Sequence, residues 1–205
     1  MVHPRNIYSA DYHYLRLKIN ILDKRVFLLL ITILVGQTAL PQQVFATRTG
    51  VAAFISNAPL EIIKAESKEV LGAIDLSSKT FVFTIENKSF KGFNSALQQE
   101  HFYENYLEAQ QFPTSTFKGK IIEDIDLSSS NEQVVRAKGI LDIHGVGQER
   151  IIKGTVRIED NKLQLLADFT ILPEDHQIKI PRVVYQKIAE VIDVSIKAEL
   201  IRENK

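Results

Sequence analysis

The chain has 205 residues, of which 25 are basic and 25 are acidic, and it contains no cysteine. Its formal net charge of zero argues against a nucleic-acid partner, because such proteins carry a concentrated excess of basic residues. Without cysteine there can be no disulfide, no thiolate nucleophile and no cysteine-ligated metal site, and the length suits one domain with a substantial core.

The first segment has the pattern of a secretory signal peptide. Lys24 and Arg25 precede the apolar run VFLLLITILV, which is shorter than a typical membrane span. Small side chains precede the expected cut, so we predict cleavage after Ala46. The signal peptide is then residues 1–46, with an unusually long leader over 1–23.

The domain that follows this cut is predicted over residues 47–205. We expect a periplasmic or secreted protein with no stable membrane insertion after cleavage. The alternative is a leader that is never cut and stays as a membrane anchor.

Beyond the leader, apolar and polar residues alternate with a period of two, which is typical of strands with one buried face. The clearest series are FVFTIE and VRAKGILDIH, and two more series flank an EDNK turn. That turn predicts a β-hairpin. Further strands are predicted over residues 50–56, 61–65, 70–76 and 117–125, which brings the total to eight or nine.

One segment, residues 90–117, interrupts the strands with an amphipathic helix. Asn94 or Ser95 can cap its first backbone N–H groups. Phe102 and Tyr106 lie four residues apart and so share one face of the helix. A proline before the next strand cannot continue the helix and returns the chain to an extended conformation. A single helix inserted among strands predicts a lid or a plug.

Small residues recur at inward positions of the predicted strands, namely Ala137, Gly139, Gly154 and Ala167. A solid sandwich would fill such positions with large side chains, whereas an eight-stranded barrel can leave room for one small ligand. We therefore predict an all-β fold: an antiparallel eight-stranded barrel with one inserted helix and a short helix, near residues 183–189, before the last strand. The alternative for each glycine is a bulge or strand crossing where two backbones approach closely.

Three stretches, in this order, carry a resemblance to a known family: FKGFNSALQQEHFYENYLEAQQFPTSTFKGKI, AKGILDIHGVGQERIIKGTVRI and LQLLADFTI. The most specific pieces are the His-Phe pair at 101–102, the Phe-Pro pair at 112–113 and the turn over 139–146. Their order and spacing resemble those of YceI-like domains over essentially all of residues 50–200. The resemblance implies a lipocalin-like β-barrel, usually exported, that binds long apolar or amphipathic molecules such as polyisoprenoids.

The predicted function is therefore to bind one long-chain lipophilic or amphipathic molecule, isoprenoid-like or fatty-chain-like, inside the barrel, for transport, storage or sequestration in the cell envelope. Aromatic rings can cover an apolar chain, and a tyrosine hydroxyl can meet a polar headgroup. The predicted ligand-binding residues are Phe83, Phe117, Ala137, Gly139, Leu141, Gly154, Val156 and Phe169 on the wall, and Phe93, Leu97, Phe102 and Tyr106 on the helix side. No cofactor, metal ion or catalytic residue is predicted, and the one protein partner considered is a second copy of the chain in a homodimer.

Two alternatives stay open. The chain could be an enzyme that acts on a lipid or an isoprenoid, with His101 or His144 as general acid or base. It could also be a structural protein with a filled core. No serine lies in a Gly-x-Ser-x-Gly elbow. We expect His144 to hold its turn by a hydrogen bond, and His176, beside two acidic residues in a loop, to be solvated.

Overall fold

The computed structural model describes residues 43–203, so the leader over 1–23 and the apolar run after it lie outside the described residues. Within the described part, the elements are β1 (Val44–Asn57), β2 (Ile62–Asp75), β3 (Thr80–Glu86), α1 (Ala96–His101), β4 (Thr114–Ile121), β5 (Gln133–Ile143), β6 (Val146–Glu159), β7 (Lys162–Ile171) and β8 (Ile192–Arg202). In residues 43–203, no helix is both long enough and apolar enough to cross a lipid bilayer.

The eight strands form one closed antiparallel barrel in which each strand pairs with its neighbours in sequence. The barrel closes between β1 and β8, where Phe54 lies opposite Val194. Closure removes the free strand edges that would otherwise invite pairing with another chain. The predicted antiparallel eight-stranded barrel is therefore confirmed.

The second strand differs from its prediction. β2 is one strand of 14 residues, whereas the sequence predicts two strands over 61–65 and 70–76. The stretch between them keeps its pairing with β1, since Ser67 lies opposite Ala52, and register shifts in β1 absorb the irregularity. Ser67 is buried, and its hydroxyl shares a 2.6 Å hydrogen bond with that of Ser89. The polar residue that interrupts the alternation is thus a hydrogen-bonded core residue.

The inserted helix is short and begins at the predicted cap. Ser95 is the N-cap residue, and its hydroxyl accepts a 3.2 Å hydrogen bond from the backbone N–H of Gln98. After α1 the chain forms one wider, π-helical turn over Phe102–Tyr106. The N–H of Leu107 donates a 3.0 Å hydrogen bond to the carbonyl of Phe102 and closes this turn. A helix of six residues is not stable alone, so its contacts with the barrel determine its position.

Two other elements differ from the sequence-based expectations. The short helix predicted near 183–189 is a single 3₁₀ turn over Arg182–Val184, followed by irregular turns. Val184 and Ile188 face the barrel interior, and the N–H of Ile188 donates to the carbonyl of Val184 at 3.0 Å. The strand predicted over 117–125 is β4, which begins at Thr114 and ends at Ile121.

Large apolar side chains fill one end of the barrel. The connections β2–β3, β4–β5 and β6–β7 lie at this end, and we call it the closed end. The longer connections, β3–β4 with α1 and β7–β8, lie at the opposite end. The buried residues that pack the closed end are Phe45, Ile74, Phe81, Ile121, Val135, Val156, Leu163, Ala198 and Leu200.

Candidate functional site

The barrel holds a cavity of about 590 Å³ between the closed end and the long connections. Its floor is the inner surface of the filled core, where Ile74, Phe81 and Val156 lie. Its walls are the inward faces of the strands, and α1 with the β7–β8 connection surrounds its mouth. A cavity of this volume lies in the range of sites that enclose one small molecule.

Most of the predicted ligand-binding residues line this cavity. On the wall these are Phe83, Phe117, Ala137, Leu141, Gly154, Val156 and Phe169. On the helix side they are Phe93, Leu97, Phe102 and Tyr106. Small residues among them leave the space that larger side chains would occupy, because the strand spacing of the barrel is fixed by its hydrogen bonds.

Gly139 is placed differently from the other predicted residues. It pairs with Gly119 of β4, and a Cβ on either glycine would overlap the backbone of the facing strand. The lack of a side chain at Gly139 therefore allows the backbones of β4 and β5 to approach closely. This close approach is the alternative that the sequence left open for such glycines. Its assignment to the ligand-contacting wall is corrected accordingly.

Four phenylalanine rings form an aromatic cluster at the mouth, and we name Phe54, Phe90, Phe93 and Phe102 the phenylalanine gate. The ring of Phe102 stacks on that of Phe54 with centroids 5.2 Å apart. Phe93 and Phe102 have centroids 5.0 Å apart, and Phe54 and Phe90 are separated by 5.5 Å. All four rings line the cavity, so α1 is attached to β1 through the same surface that a ligand would contact.

Two groups stand out among the lining residues that the sequence-based site missed. Phe54 lies on β1 two residues from both Ala52 and Ser56, so the three side chains share the inward face of the strand. This shared parity alone would have indicated that Phe54 lines the cavity. The second group comes from the β7–β8 connection and the start of β8, where the lining apolar residues lie two or four positions apart. Its members are Ile178, Ile180, Val184, Ile188, Ile192 and Val194.

Polar groups are concentrated at the mouth. The carboxylate of Glu61 accepts hydrogen bonds from the side-chain amides of Asn94 at 3.3 Å and Gln98 at 3.0 Å. Lys187 is exposed and also lines the cavity. Burial raises the pKa of the Tyr106 phenol above its ordinary value, so this hydroxyl is neutral at physiological pH and can donate a hydrogen bond.

Deeper polar groups in the cavity wall already have partners. The hydroxyl of Ser56 accepts a 2.8 Å hydrogen bond from the N–H of Ala189. The Asn87 side chain donates to the carbonyl of Phe112 at 2.7 Å and accepts from the hydroxyl of Ser115 at 2.8 Å. These bonds fix the connections around the mouth, and apart from Thr84 and Thr116 the remaining strand wall is apolar.

The three histidines that the sequence singles out lie in different surroundings. His101 is exposed at the end of α1 and lines the mouth. His144 has φ of 56° and bonds Glu108 at 2.7 Å and the carbonyl of His176 at 3.1 Å, so it holds its turn as expected. The expectation that His176 is solvated is wrong, because its side chain is fully buried and its Nδ1 bonds the carbonyl of Val146 at 2.9 Å.

Metal binding has no geometric support in the described part of the chain. Across residues 43–203, no group of three or more histidine, aspartate or glutamate side chains converges in a way that could hold an ion.

A family model for the YceI-like domain matches residues 46–200. No curated protein matches the chain. The matched residues cover the barrel almost completely, including both long connections around the cavity mouth.

Several solved structures have a similar fold. A polyisoprenoid binding domain from Saccharophagus degradans, implicated in plant cell wall breakdown, aligns with a TM-score of 0.66 at 12% identity and covers 78% of this chain and 98% of its own. BcnA from Burkholderia cenocepacia aligns with a TM-score of 0.60 at 13% identity, covering 74% of this chain and 95% of its own. A YceI protein of Campylobacter jejuni aligns with a TM-score of 0.52 at 19% identity, covering 67% and 81%.

Proposed function

Because the chain belongs to the YceI-like domain family and its barrel encloses an apolar cavity, we propose that it binds one long-chain lipophilic or amphipathic molecule in that cavity. The observation that carries this proposal is the 590 Å³ space with aromatic and aliphatic walls. The Saccharophagus degradans domain, described as polyisoprenoid binding, supports an isoprenoid-like chain; a fatty chain offers the same apolar surface.

The energetics of such binding require no specific polar contact. Each buried methylene contributes about 0.8 kcal/mol, so ten buried carbons contribute about 8 kcal/mol. This exceeds the lower estimates of the cost of association, about 4 kcal/mol. The polar groups at the mouth, including Tyr106 and Gln98, lie where the headgroup of the bound molecule would remain near solvent.

We infer binding rather than catalysis. His144, one candidate acid or base, has both ring nitrogens in hydrogen bonds to Glu108 and to a backbone carbonyl. His101, the other candidate, lines the mouth, and its side chain forms no hydrogen bond within residues 43–203 that would orient it as an acid or a base. Neither arrangement offers a polarised reacting group beside a buried substrate.

We also propose that the protein acts outside the cytoplasm, in the periplasm or as a secreted protein. The support is the basic pair Lys24-Arg25 before the apolar run, and the lack of any cysteine that oxidation could affect. Carriage, storage or sequestration of a lipophilic chain would each use this cavity.

The test is native mass spectrometry of the secreted protein, with lipid extraction from the same sample. Ala167→Phe should fill the cavity because Ala167 lines it, whereas Thr170→Phe in the same strand adds the same ring on the exposed face. We expect a stoichiometric long-chain adduct on the wild type and on Thr170→Phe, and its loss from Ala167→Phe. A wild type that is free of lipid and takes up neither prenyl nor fatty chains would overturn the proposal, and conversion of the bound chain would favour the enzyme alternative.

A further inference from the structure

Exposed apolar side chains surround the cavity mouth. Val183 at the tip of the 3₁₀ turn is 88% exposed, Leu60 in the β1–β2 connection 67%, Leu97 on α1 59% and Tyr185 50%. We call these four residues the mouth rim. Leu97 also lines the cavity, so the rim is continuous with the cavity wall. Large apolar groups exposed together, rather than singly, mark an interaction surface.

Hydrogen bonds join the three segments that carry the mouth rim. The N–H of Leu60 donates to the carbonyl of Gln186 at 2.8 Å, which attaches the β1–β2 connection to the β7–β8 connection beside Tyr185. The next residue, Glu61, accepts from Gln98 of α1 at 3.0 Å. The rim residues are therefore presented together by one hydrogen-bonded frame.

On the β7–β8 side of the mouth rim the exposed charges are mainly positive, whereas the acidic residues Glu61 and Glu100 lie beside Leu60 and Leu97. The stretch over residues 178–191 carries three basic side chains, those of Lys179, Arg182 and Lys187, and one acidic side chain, that of Glu190. All three basic residues are exposed, and none of them forms an ion pair within residues 43–203. Exposed apolar tips flanked by basic residues are the composition that binds the surface of an anionic bilayer.

We propose that the mouth rim docks on a lipid bilayer with anionic headgroups, so that a chain passes between the bilayer and the cavity without entering water. This inference rests on the proposed function, because it gives the cavity its source of ligand. Val183 would enter the interface between headgroups and acyl chains. Tyr185 would lie at headgroup level, where amphipathic rings are favoured, and Arg182 would meet phosphate groups.

One exposed apolar residue lies well away from the mouth rim. Val134, which is 55% exposed, lies on the outer face of β5 near the closed end. It is far along the strand from the mouth and shares its face with the charged Arg136 and Lys138. Val134 is therefore a matched control for Val183: the same residue type, also exposed, at the other end of the barrel.

The absence of cysteine from the chain makes a site-specific experiment simple. Single variants Val183→Cys, Leu60→Cys and Val134→Cys are labelled with an environment-sensitive fluorophore and mixed with vesicles of phosphatidylcholine, with or without phosphatidylglycerol. We expect a blue shift and quenching by spin-labelled lipid at positions 183 and 60 with the anionic vesicles, and no change at 134. Adding Arg182→Gln to the Val183→Cys protein should weaken the response about fivefold.

Uptake of a prenyl or fatty chain by the same labelled proteins, measured without vesicles, separates this inference from the proposed function. Chain uptake without any response at positions 183 and 60 would overturn docking and leave the proposed function intact. Equal responses at 183 and 134 would also overturn it. A dimer that Val183→Asp converts to monomers, with no vesicle response in the wild type, would assign the rim to a second copy of the chain instead.

Discussion

His144 connects three segments of the barrel end through a single ring. Its Nδ1 bonds the carbonyl of His176 at 3.1 Å and its Nε2 bonds the Glu108 carboxyl group at 2.7 Å. The ring also packs edge-on against Phe112, with centroids 4.7 Å apart. A carbonyl oxygen only accepts, so Nδ1 carries a proton, and a second proton lies between Nε2 and the Glu108 carboxyl group. The turn before β6 is thereby held to the end of the α1 segment and to the β7–β8 connection.

We predict that Glu108→Gln lowers the free energy of unfolding by about 1 kcal/mol, because a charge-assisted hydrogen bond becomes a neutral one. Chemical denaturation of the purified protein measures this change. Glu104→Gln, an exposed change one turn earlier in the same segment, is the control and should leave the midpoint unchanged. Equal effects of the two substitutions would mean that the general charge of the segment, not the bond to His144, matters.

At the scale of elements, α1 depends on Tyr103 for its attachment. The Tyr103 hydroxyl donates to the carbonyl of Phe90 at 2.5 Å and lies 2.9 Å from the Gln99 amide and 3.2 Å from the Lys91 ammonium. The phenylalanine gate provides the apolar part of the same attachment. Because a helix of this length is unstable in isolation, loss of either part should loosen α1 before it affects the barrel.

We predict that Tyr103→Phe speeds amide hydrogen exchange in α1 and the π-helical turn about fivefold, which corresponds to the loss of about 1 kcal/mol of local stability. The strands should keep their protection. Tyr106→Phe is the matched control, since the Tyr106 hydroxyl takes part in no hydrogen bond within residues 43–203. Faster exchange in the strands of Tyr103→Phe, at the same rate as in α1, would show that the helix and the barrel open as one unit.

Alternation along single strands, together with the small residues at inward positions, was sufficient to predict the barrel, because inward parity is a local property of each strand. What could not be predicted depends on partners distant in sequence. The role of Gly139 follows only from its pairing with Gly119 across β4 and β5. The burial of His176 follows from its bond to Val146, and the continuity of β2 through Ser67 follows from the hydroxyl of Ser89. From local polarity alone, His176 is expected to be exposed and Ser67 is expected to interrupt the strand.

At the scale of the whole molecule, the barrel is divided into a filled half and a hollow half. The filled half stabilises the fold, so the hollow half can keep its cavity. Phe45 belongs to the filled half: it is 1% exposed, lies opposite Ile74 of β2 and pairs with Arg202 of β8. The predicted cleavage after Ala46, which stays a prediction, would remove this side chain from the mature protein.

The position of Phe45 in the core favours a different cut from the one expected from the sequence. We predict that cleavage occurs before Val44 and that the mature chain retains Phe45, because the first residues of β1 complete the core of the closed end. Intact mass measurement of the secreted protein gives its first residue. Phe45→Ala should then lower the stability of the mature protein by about 3–5 kcal/mol, the usual cost of deleting a buried phenylalanine side chain. Leu71→Ala, on the exposed face of the neighbouring β2, is the control and should have little effect. A mature mass that begins at Thr47 would overturn this prediction and mean that the closed end is complete without Phe45.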